Sequence, residues 1–411
     1  NFLYKKLLFL LMGLFLFNCE DIGKGYDWRD QLSSGFSKRY GTLGYDYGWN
    51  ASYSPYDQGI IIVGKRSPII DGKSDLWAIK TDNRGQLEWE KNFGGAENDE
   101  GYDVIATSDG GFLFVGYTWS FGSQQQVYAI KTDFYGNIIW EKNYGAAMWD
   151  VGNAVIEIND GGYLIVGYSN SPGISSGNTD FYLIKIDYKG SIIWQKAFGN
   201  LDFPNHEWAY DVIQLQDSGF LIVGGRDRYS DGAINGLVLR LDQFGNLIWE
   251  KEFIDDQQLS ETFYSISVSL NGNYFICGAT NSIDNPEKYQ PRVIKIDGFG
   301  NVEWQRTLKS NSKDYHQFRA TSNKSDEIIV VGTSLNEVAD TYKSDAFLTK
   351  INSNGNIIWS YPYGSVDEDD WGWSVFETPE KNIVFVGSTR SFGASLFDIY
   401  LVGTNKDGIS K

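Results

Sequence analysis

The chain has 411 residues, of which 16% are aromatic, with 46 glycines and only 8 prolines, a composition typical of many aromatic strands joined by glycine turns. Its 35 basic and 53 acidic side chains leave a formal charge of −18, which repels phosphate backbones and anionic membrane surfaces. Nucleic acid is therefore excluded as an expected partner. Cations, basic peptides and neutral polar ligands such as glycans remain open.

The first residues have the layout of an export signal. Lys5 and Lys6 precede eleven apolar residues, Leu7 to Phe17, which are too few for the roughly 20 residues of a membrane-spanning helix. Leu16-Phe17-Asn18-Cys19 resembles the lipobox of bacterial lipoproteins, in which the cysteine becomes lipidated. The sequence therefore predicts a lipoprotein-type signal peptide over 1–19, with Cys19 as the lipidation site. An ordinary secretory signal and an unprocessed segment are the alternatives.

The predicted anchor implies a location and a short connection to the folded domain. A tether over 20–26 has seven residues and reaches at most ~25 Å, so the domain over 27–411 would stay close to the lipid. The expected location is the outer membrane or cell surface of a bacterium, with the membrane as a partner through the lipid anchor.

One segment recurs along the rest of the chain. Ala78-Ile79-Lys80-Thr81-Asp82, then Gly85 and Trp89, returns as Ala129-Ile130-Lys131-Thr132-Asp133, then Gly136 and Trp140. Successive copies of the tryptophan are 51 to 55 residues apart, which is the period of propeller blades rather than of helical solenoids. The six copies are Trp89, Trp140, Trp194, Trp249, Trp304 and Trp359.

A second marker gives the number of blades. An apolar strand that ends in glycine occurs at Gly64, Gly116, Gly167, Gly224, Gly278, Gly332 and Gly387. Each unit reads as four strands, with an Asp-x-x-Gly or Asn-x-x-Gly turn between the third and the fourth. The sequence therefore predicts an all-β, seven-bladed β-propeller of four-stranded antiparallel blades.

The two ends of the chain complement each other. The last repeat begins at Asp398 but stops at Lys411, before its tryptophan-bearing strand. The missing strand has its match in Phe36 to Gly41, which aligns with Trp89 to Gly94. An N-terminal strand is therefore expected to complete the last blade, which removes the open sheet edges and closes a monomeric ring.

The pattern Ile-Lys-Thr-Asp-x-x-Gly followed by Trp resembles the repeats of quinoprotein-like propellers, and Gly-Asn-x-x-Trp-x-Lys-x-Tyr-Gly resembles uncharacterised bacterial propeller lipoproteins. The resemblance covers about residues 27 to 411 and implies that the tryptophans lock adjacent blades together. The repeat pattern is also similar to that of propeller lipoproteins that help to assemble outer-membrane barrels. The chain departs from the catalytic branch because it has no adjacent cysteine pair: Cys277 lies in a core strand and reads as a small apolar residue.

An acidic residue lies 17 or 18 positions before each marker glycine. This acidic ring consists of Asp46, Asp99, Asp150, Glu207, Glu261, Asp314 and Asp370. One interpretation is structural, with each carboxylate accepting backbone N–H bonds at the start of its strand and fixing the inter-blade turn. The other is a metal site, in which several carboxylates hold a hard cation such as Ca²⁺, the only candidate cofactor.

Aromatic residues interleave with these acids at the predicted channel entrance. The candidate ligand-binding residues are Trp49, Tyr102, Trp208, Tyr210, Trp371 and Trp373. An aromatic face beside a carboxylate suits a sugar, although packing between blades is the competing interpretation. The loops between second and third strands, such as Ser169 to Thr179 and Thr280 to Gln290, are expected to be long and to lie on the same face.

No catalytic residue is predicted. The two histidines, His206 and His316, stand outside any nucleophile motif and offer no zinc set with the two cysteines. The expected function is therefore a non-enzymatic binding or scaffold propeller that engages a protein or glycan through its long-loop face and acidic, aromatic channel. An extracytoplasmic hydrolase or quinoprotein-type enzyme and an outer-membrane assembly scaffold are the alternatives.

Overall fold

A computed structural model describes residues 35–410 except 68–71, 123, 176–177, 200–204, 229–232, 254–257, 271, 283–284, 309–318, 323–325, 339–340 and 366. The predicted signal peptide, Cys19 and the tether lie outside the described residues. Within the described part the regular elements are β-strands, and no helix there is long and apolar enough to cross a membrane.

Twenty-eight strands form seven sheets of four. Blade 1 contains β2 (Asp46–Tyr53), β3 (Ile60–Arg66), β4 (Asp75–Thr81) and β5 (Leu87–Phe93). Blade 2 contains β6 (Asp99–Ala106), β7 (Phe112–Thr118), β8 (Gln126–Thr132) and β9 (Ile138–Tyr144). Blade 3 contains β10 (Asp150–Glu157), β11 (Tyr163–Ser169), β12 (Asp180–Ile186) and β13 (Ile192–Phe198). Blade 4 contains β14 (Glu207–Gln214), β15 (Phe220–Arg228), β16 (Ala233–Leu241) and β17 (Leu247–Phe253).

The remaining blades follow the same order. Blade 5 contains β18 (Gln258–Val268), β19 (Tyr274–Ser282), β20 (Asn285–Ile296) and β21 (Val302–Thr307). Blade 6 contains β22 (Arg319–Ser322), β23 (Ile328–Val338), β24 (Thr341–Ile351) and β25 (Ile357–Tyr363). Blade 7 contains β26 (Asp370–Glu377), β27 (Ile383–Thr389), β28 (Asp398–Thr404) and β1 (Phe36–Tyr40).

The ring closes as the sequence predicts. The strand order in blade 7 is β1-β28-β27-β26, and β1 runs antiparallel to β28 from the pair Phe36–Gly403 to the pair Tyr40–Ile399. Arg39 donates to the buried carboxylate of Asp398 at 2.5 Å, which ties the two ends of the chain together. The predicted seven-bladed β-propeller, closed by its N-terminal strand, is confirmed.

The hydrophobic core is divided into seven layers, each between two neighbouring blades. For example, Ile61 and Val63 of blade 1 pack with Phe112, Phe114 and Tyr128 of blade 2. Cys277 is buried in the layer between blades 5 and 6, in agreement with its predicted role as a core residue. Because each blade buries both faces only against its neighbours, the closed ring is the stable unit.

The repeated tryptophans join adjacent blades. Each lies against a glycine with positive φ in the third-to-fourth-strand turn of the next blade, where only glycine leaves room for the ring and adopts the turn without strain. A Cβ added at Gly190, for instance, would lie 3.1 Å from the Trp140 ring, and Trp140 Nε1 donates to the Tyr188 carbonyl at 3.0 Å. In blade 7, Phe36 takes the tryptophan's place against Gly85 of blade 1.

The marker glycines are explained by a bulge in the facing inner strand. A Cβ at Gly167 would lie 1.9 Å from the Val151 carbonyl oxygen, and one at Gly387 would lie 1.7 Å from that of Trp371. An extra residue lies next to the position that faces the marker glycine in the inner strands β2, β6, β10, β14, β18 and β26. The glycine therefore permits a bulge that turns one inner-strand side chain away from the regular alternation.

One predicted loop is instead a hairpin. Residues 280–290 were expected to form a long loop, but Thr280 pairs with Gln290 and Ser282 with Asn285, so β19 and β20 extend past the blade. The run of polar residues and Pro291 resembles a loop in sequence because it lacks the alternation of apolar and polar residues that is typical of a strand. The segment from Ser169 to Thr179, by contrast, leaves the sheet directly after Ser169.

Candidate functional site

The acidic ring lies where the chain enters each blade. Asp46, Asp99, Asp150, Glu207 and Asp370 are the first residues of their inner strands, and all five are fully buried. Glu261 is likewise buried, within β18, and Asp314 lies outside the described residues. These carboxylates therefore share one structural position around the ring, on the face where the loops between second and third strands emerge.

The carboxylates are engaged by donors from their own surroundings. Asp150 accepts from the Ala146 amide and the Ser171 hydroxyl, each at 2.8 Å, and from the Ser169 hydroxyl. Asp370 repeats this arrangement with the Ser365 amide, and the Ser391 and Thr389 hydroxyls. Burial raises the pKa of both carboxyl groups, and these hydrogen bonds oppose the shift.

Other members of the ring follow the same principle. Asp99 accepts from the Gly95 amide at 2.8 Å and the Ser120 hydroxyl at 2.7 Å, and Glu207 pairs with Arg226 Nε at 2.8 Å. The backbone donors belong to the segment that crosses from one blade to the next. This is the geometry that the structural interpretation of the acidic ring requires.

The ring offers no cage for a metal ion among the residues that the structure describes. In that part of the chain no three His, Cys, Asp or Glu side chains lie close enough together to hold one. A Ca²⁺ ion needs six to eight oxygens, whereas Asp150 and Asp370 already accept hydrogen bonds from amide and hydroxyl donors around them. The six described ring carboxylates therefore form no cluster of three, and the calcium site stays a prediction.

The central channel is lined by the bulge residues. The extra residue of each described bulge belongs to a different blade: Trp49, Tyr102, Asn153, Tyr210, Tyr264 and Trp373. Neighbouring members touch, with ring centroids 6.1 Å apart for Trp49 and Tyr102, 5.0 Å for Trp49 and Trp373, and 4.9 Å for Tyr210 and Tyr264. The bulges thus place a ring of mainly aromatic side chains around the axis.

A cavity of about 280 Å³ opens within this ring, and we call it the channel cavity. Its lining consists of Trp49, Tyr102, Asn153, Tyr168, Trp208, Tyr210 and Arg319. Four of the six predicted ligand-binding residues, namely Trp49, Tyr102, Trp208 and Tyr210, therefore line one cavity.

Two hydrogen-bond donors of the cavity are unused within the described residues. The Nε1 atom of Trp49 and the Nε atom of Arg319 are both shielded from solvent and have no hydrogen-bond partner there. Because a buried N–H group without a partner costs free energy, such donors are expected where a ligand completes the site.

The other two predicted residues lie beside the cavity, in an aromatic stack between blades 7 and 1. Trp371 stacks on Phe397 with centroids 4.2 Å apart, and Tyr47 stacks on Trp49 at 5.5 Å and on Trp371 at 6.2 Å. Trp373 is buried against Trp49. Trp371 therefore packs on Phe397 of its own blade and on Tyr47 of blade 1, and Trp373 packs on Trp49 of blade 1.

A belt of hydrogen bonds lies one residue beyond the bulges and links successive blades. Asp103 is its centre: Oδ1 accepts from Asn50 Nδ2 at 2.5 Å and from the Val104 amide at 2.8 Å, and Oδ2 accepts from the Val155 amide at 2.8 Å. Further links between blades join Ser374 to Asn50, Asp211 to the Ile266 amide, and Ser265 to the Ala320 amide. This belt fixes the inner strands below the cavity.

Burial raises the pKa of two carboxyl groups in these hydrogen bonds between blades, those of Asp103 and Asp211. It raises the pKa of Asp103 to about 7 and that of Asp211 to about 6, and the positive charge of Arg319 opposes both shifts. Burial also raises the pKa of the Tyr102 and Tyr210 hydroxyls well above its usual value. The cavity therefore contains one cation near two carboxyl groups that titrate close to neutral pH.

Sequence analysis did not identify Asn153, Arg319, Asp103 or Asp211 as site residues. Asp103 and Asp211 each lie four residues after a ring acid, at the position occupied by Asn50, Ala154, Ser265 and Ser374 in other blades. Arg319 occupies that position in blade 6, as its pairing with Val331 shows. The sequence does show charged residues at a position that is uncharged in other blades. Only the bulge in the structure shows that this position borders the channel.

Comparisons with known proteins support the fold and leave the activity open. No protein-family model and no curated protein matches the chain. Among solved structures, polysaccharide lyase Uly1 is 12% identical, with a TM-score of 0.55 over 87% of this chain and 91% of that one. The propeller domain of the trilobed protease from Pyrococcus furiosus is 10% identical, with a TM-score of 0.48 over 88% and 95%. At 12% identity the likeness to Uly1 shows a shared fold and no more.

Proposed function

We propose that the protein is an exported, lipid-anchored binding propeller that takes a neutral, hydroxyl-rich ligand, such as an oligosaccharide, into the channel cavity. The observation that carries this proposal is the combination of aromatic faces with two unused donors in one cavity, since Trp49, Tyr210 and Arg319 all line it. Sugar C–H groups would stack on the rings, and ring hydroxyls would accept hydrogen bonds from Trp49 Nε1 and Arg319 Nε.

The charges favour a neutral ligand over an anionic one. The single cation in the cavity lining, Arg319, is near the carboxyl groups of Asp103 and Asp211, and the chain as a whole has a formal charge of −18. An anionic ligand would have to overcome this field, whereas a hydroxyl-rich ligand would not.

A direct test is calorimetric titration of the protein with neutral oligosaccharides selected on a glycan array. Trp49→Ala and Arg319→Ala should each weaken binding by about tenfold or more, because truncating a central contact typically costs 1–2 kcal/mol or more. Tyr135→Ala, which removes an exposed aromatic ring at the opposite face, should bind as the unchanged protein does. Binding that survives both cavity substitutions, or a blank array, would end the proposal.

Export and lipidation are tested separately. Residues Lys5 to Cys19 have the layout of a lipoprotein signal, and the second cysteine, Cys277, is a buried core residue without a disulfide partner. Incorporation of labelled palmitate should depend on Cys19, and Cys19→Ala should abolish it. Membrane retention without label incorporation would favour the unprocessed segment, and release without incorporation would favour an ordinary secretory signal.

A hydrolase is the second candidate, and one observation favours it. The pKa of Asp103 is raised to about 7, which is in the range of a general acid. Against this, the two carboxylate oxygens of Asp103 already accept hydrogen bonds from three N–H donors of the inner strands. Release of reducing ends from a bound oligosaccharide, lost in Asp103→Asn, would replace the binding proposal by this one.

A further inference from the structure

The face opposite the acidic ring carries a band of exposed apolar side chains. The turns between third and fourth strands of blades 2 to 5 each present one aromatic residue, exposed by 62% to 76%: Tyr135, Tyr188, Phe244 and Phe299. The fourth strands begin with apolar residues that are about half exposed: Ile138, Ile139, Ile192, Ile193, Leu247, Ile248, Val302, Ile357 and Ile358. We call these two sets together the apolar belt.

Packing within the blade does not account for the apolar belt. The neighbouring tryptophans, such as Trp140 and Trp194, turn toward the next blade and rest on its glycine, while the belt residues stay at the surface. Single exposed apolar residues are ordinary in soluble proteins. The same exposed positions repeated over five consecutive blades form a continuous arc, which is typical of an interaction surface.

The arrangement of the belt suits a flat occupant. Equivalent positions of successive blades are related by rotation about the ring axis, so they lie at one height along that axis. A bound peptide would reach one or two blades, whereas a flat surface contacts the turns of blades 2 to 5 at once. Aromatic and branched aliphatic side chains are also the residues that enter the interfacial region of a bilayer.

The described chain begins at this same face. Gly35 lies against Gly403, Ile409 and Ser410, beside the last turn, and Phe36 rests on the turn glycine Gly85 of blade 1. Between Cys19 and Gly35 the sequence has 15 residues, 20–34, which span at most ~50 Å when extended. The segment that leads to the predicted anchor therefore connects to the described chain at the face of the apolar belt.

We propose that the apolar belt rests on a zwitterionic lipid bilayer, so that the face with the acidic ring and the longer loops points away from the membrane. The belt contains charges of both signs: hydrogen bonds of the turn backbone lower the pKa of Asp187 and Asp242 and keep them ionised, and Lys196 binds the Phe244 carbonyl at 3.0 Å. With the formal charge of −18, this pattern favours a zwitterionic surface over an anionic one. The proposal goes beyond ligand binding because it assigns the orientation of the channel.

The test places a reporter cysteine on either face of the full-length chain. Ile139→Cys and Ile248→Cys report the apolar belt, and Phe121→Cys and Phe392→Cys report exposed positions of the long-loop face. Each variant is labelled with a solvent-sensitive dye and reconstituted with phosphatidylcholine vesicles that contain nitroxide-labelled lipid. The unsubstituted chain, whose Cys277 is buried, gives the background labelling.

Dyes at the two belt positions should shift to the blue and be quenched at least about twofold, whereas dyes at the two loop positions should keep their emission in water. Quenching at the loop positions, or equal emission at all four, would overturn the proposal. Light scattering without lipid supplies a second criterion: a dimer that Ile139→Ser with Ile248→Ser abolishes would assign the belt to a second copy. Ligand binding in the channel cavity is independent of either result, so the two proposals fail separately.

Discussion

The outer strands and the inner strands of this propeller repeat to different degrees. Six outer strands place a tryptophan on the turn glycine of the next blade, and β1 uses Phe36 in the same way. The inner strands keep the bulge but change the residue on it, from Trp49 to Tyr102, Asn153 and Tyr210. The contact between adjacent blades needs a side chain of the same shape in every blade. A side chain that borders the channel does not make this contact and can differ from blade to blade.

The comparison separates residues that maintain the ring from residues that give the channel its chemistry. Substitutions in the first group should lower the free energy of unfolding, and those in the second should change binding at nearly constant stability. The acidic ring lies on the same face as the candidate binding loops. Its hydrogen bonds nevertheless place it among the residues that maintain the ring of blades. The predictions below examine this division.

The largest effect is expected at a marker glycine. In Gly167→Ala the new Cβ would lie 1.9 Å from the Val151 carbonyl oxygen, so β10 and β11 must separate and the bulge must move. The free energy of unfolding in urea should fall by about 3 kcal/mol. Gly298→Ala is the matched control, since nothing lies within 4 Å of its Cβ. Equal stability of the two variants would contradict the account of the bulge.

The joint between blades should be the next most sensitive feature. Trp140→Ala removes a half-buried ring from Gly190 and a 3.0 Å hydrogen bond to the Tyr188 carbonyl, and should cost about 2–3 kcal/mol in denaturant unfolding. Ile139→Ser, one residue earlier and exposed, should change stability by less than about 0.5 kcal/mol. The idea fails if the two substitutions cost the same.

The acidic ring should respond as a structural element. Asp150→Asn exchanges a carboxylate that accepts the Ala146 amide and two serine hydroxyls for an amide with one acceptor fewer, which should cost about 1–2 kcal/mol. The melting temperature of the unchanged protein should be the same with millimolar Ca²⁺ and with a chelator, because a ligand bound only by the folded state must raise it. A clear rise with Ca²⁺ that Asp150→Asn removes would restore the metal interpretation.

The smallest effect is a pH dependence of stability that arises in the channel. Because the folded-state pKa of Asp103 is raised to about 7, its contribution is complete below the unfolded pKa of about 4 and is lost as the pH rises to 7. From pH 5 to pH 8, Asp103→Asn should therefore lose on the order of 1 kcal/mol less stability than the unchanged protein. Asp133→Asn is the control: hydrogen bonds of its turn lower the pKa of Asp133, so this carboxyl group changes the pH dependence of stability only in acid, below the range compared. Parallel curves for all three proteins would contradict the assignment.

Much of the architecture could be predicted from the repeat itself. The tryptophan period, the seven marker glycines and the match between Phe36 and Trp89 led to the blade number and to the closing strand, because each reflects a local requirement of a turn or a strand. The extension of β19 and β20 over 280–290 could not be recognised, since this mainly polar segment has no alternation of apolar and polar residues.

The candidate site divides in the same way. Sequence periodicity indicated Trp49, Tyr102, Trp208 and Tyr210, but could not show that Trp371 and Trp373 lie outside the cavity lining and pack on neighbouring aromatic rings. It also gave no reason to single out Arg319, whose position became clear only from its pairing with Val331.

The sequence by itself determined the fold, because turn glycines, strand alternation and docking tryptophans act over a few residues and recur in every blade. The tertiary structure alone decided which side chains meet in the channel cavity and which carboxylates are occupied by neighbouring donors. Those encounters join inner strands of different blades, such as Trp49, Tyr210 and Arg319, and only the closing of the ring brings them together.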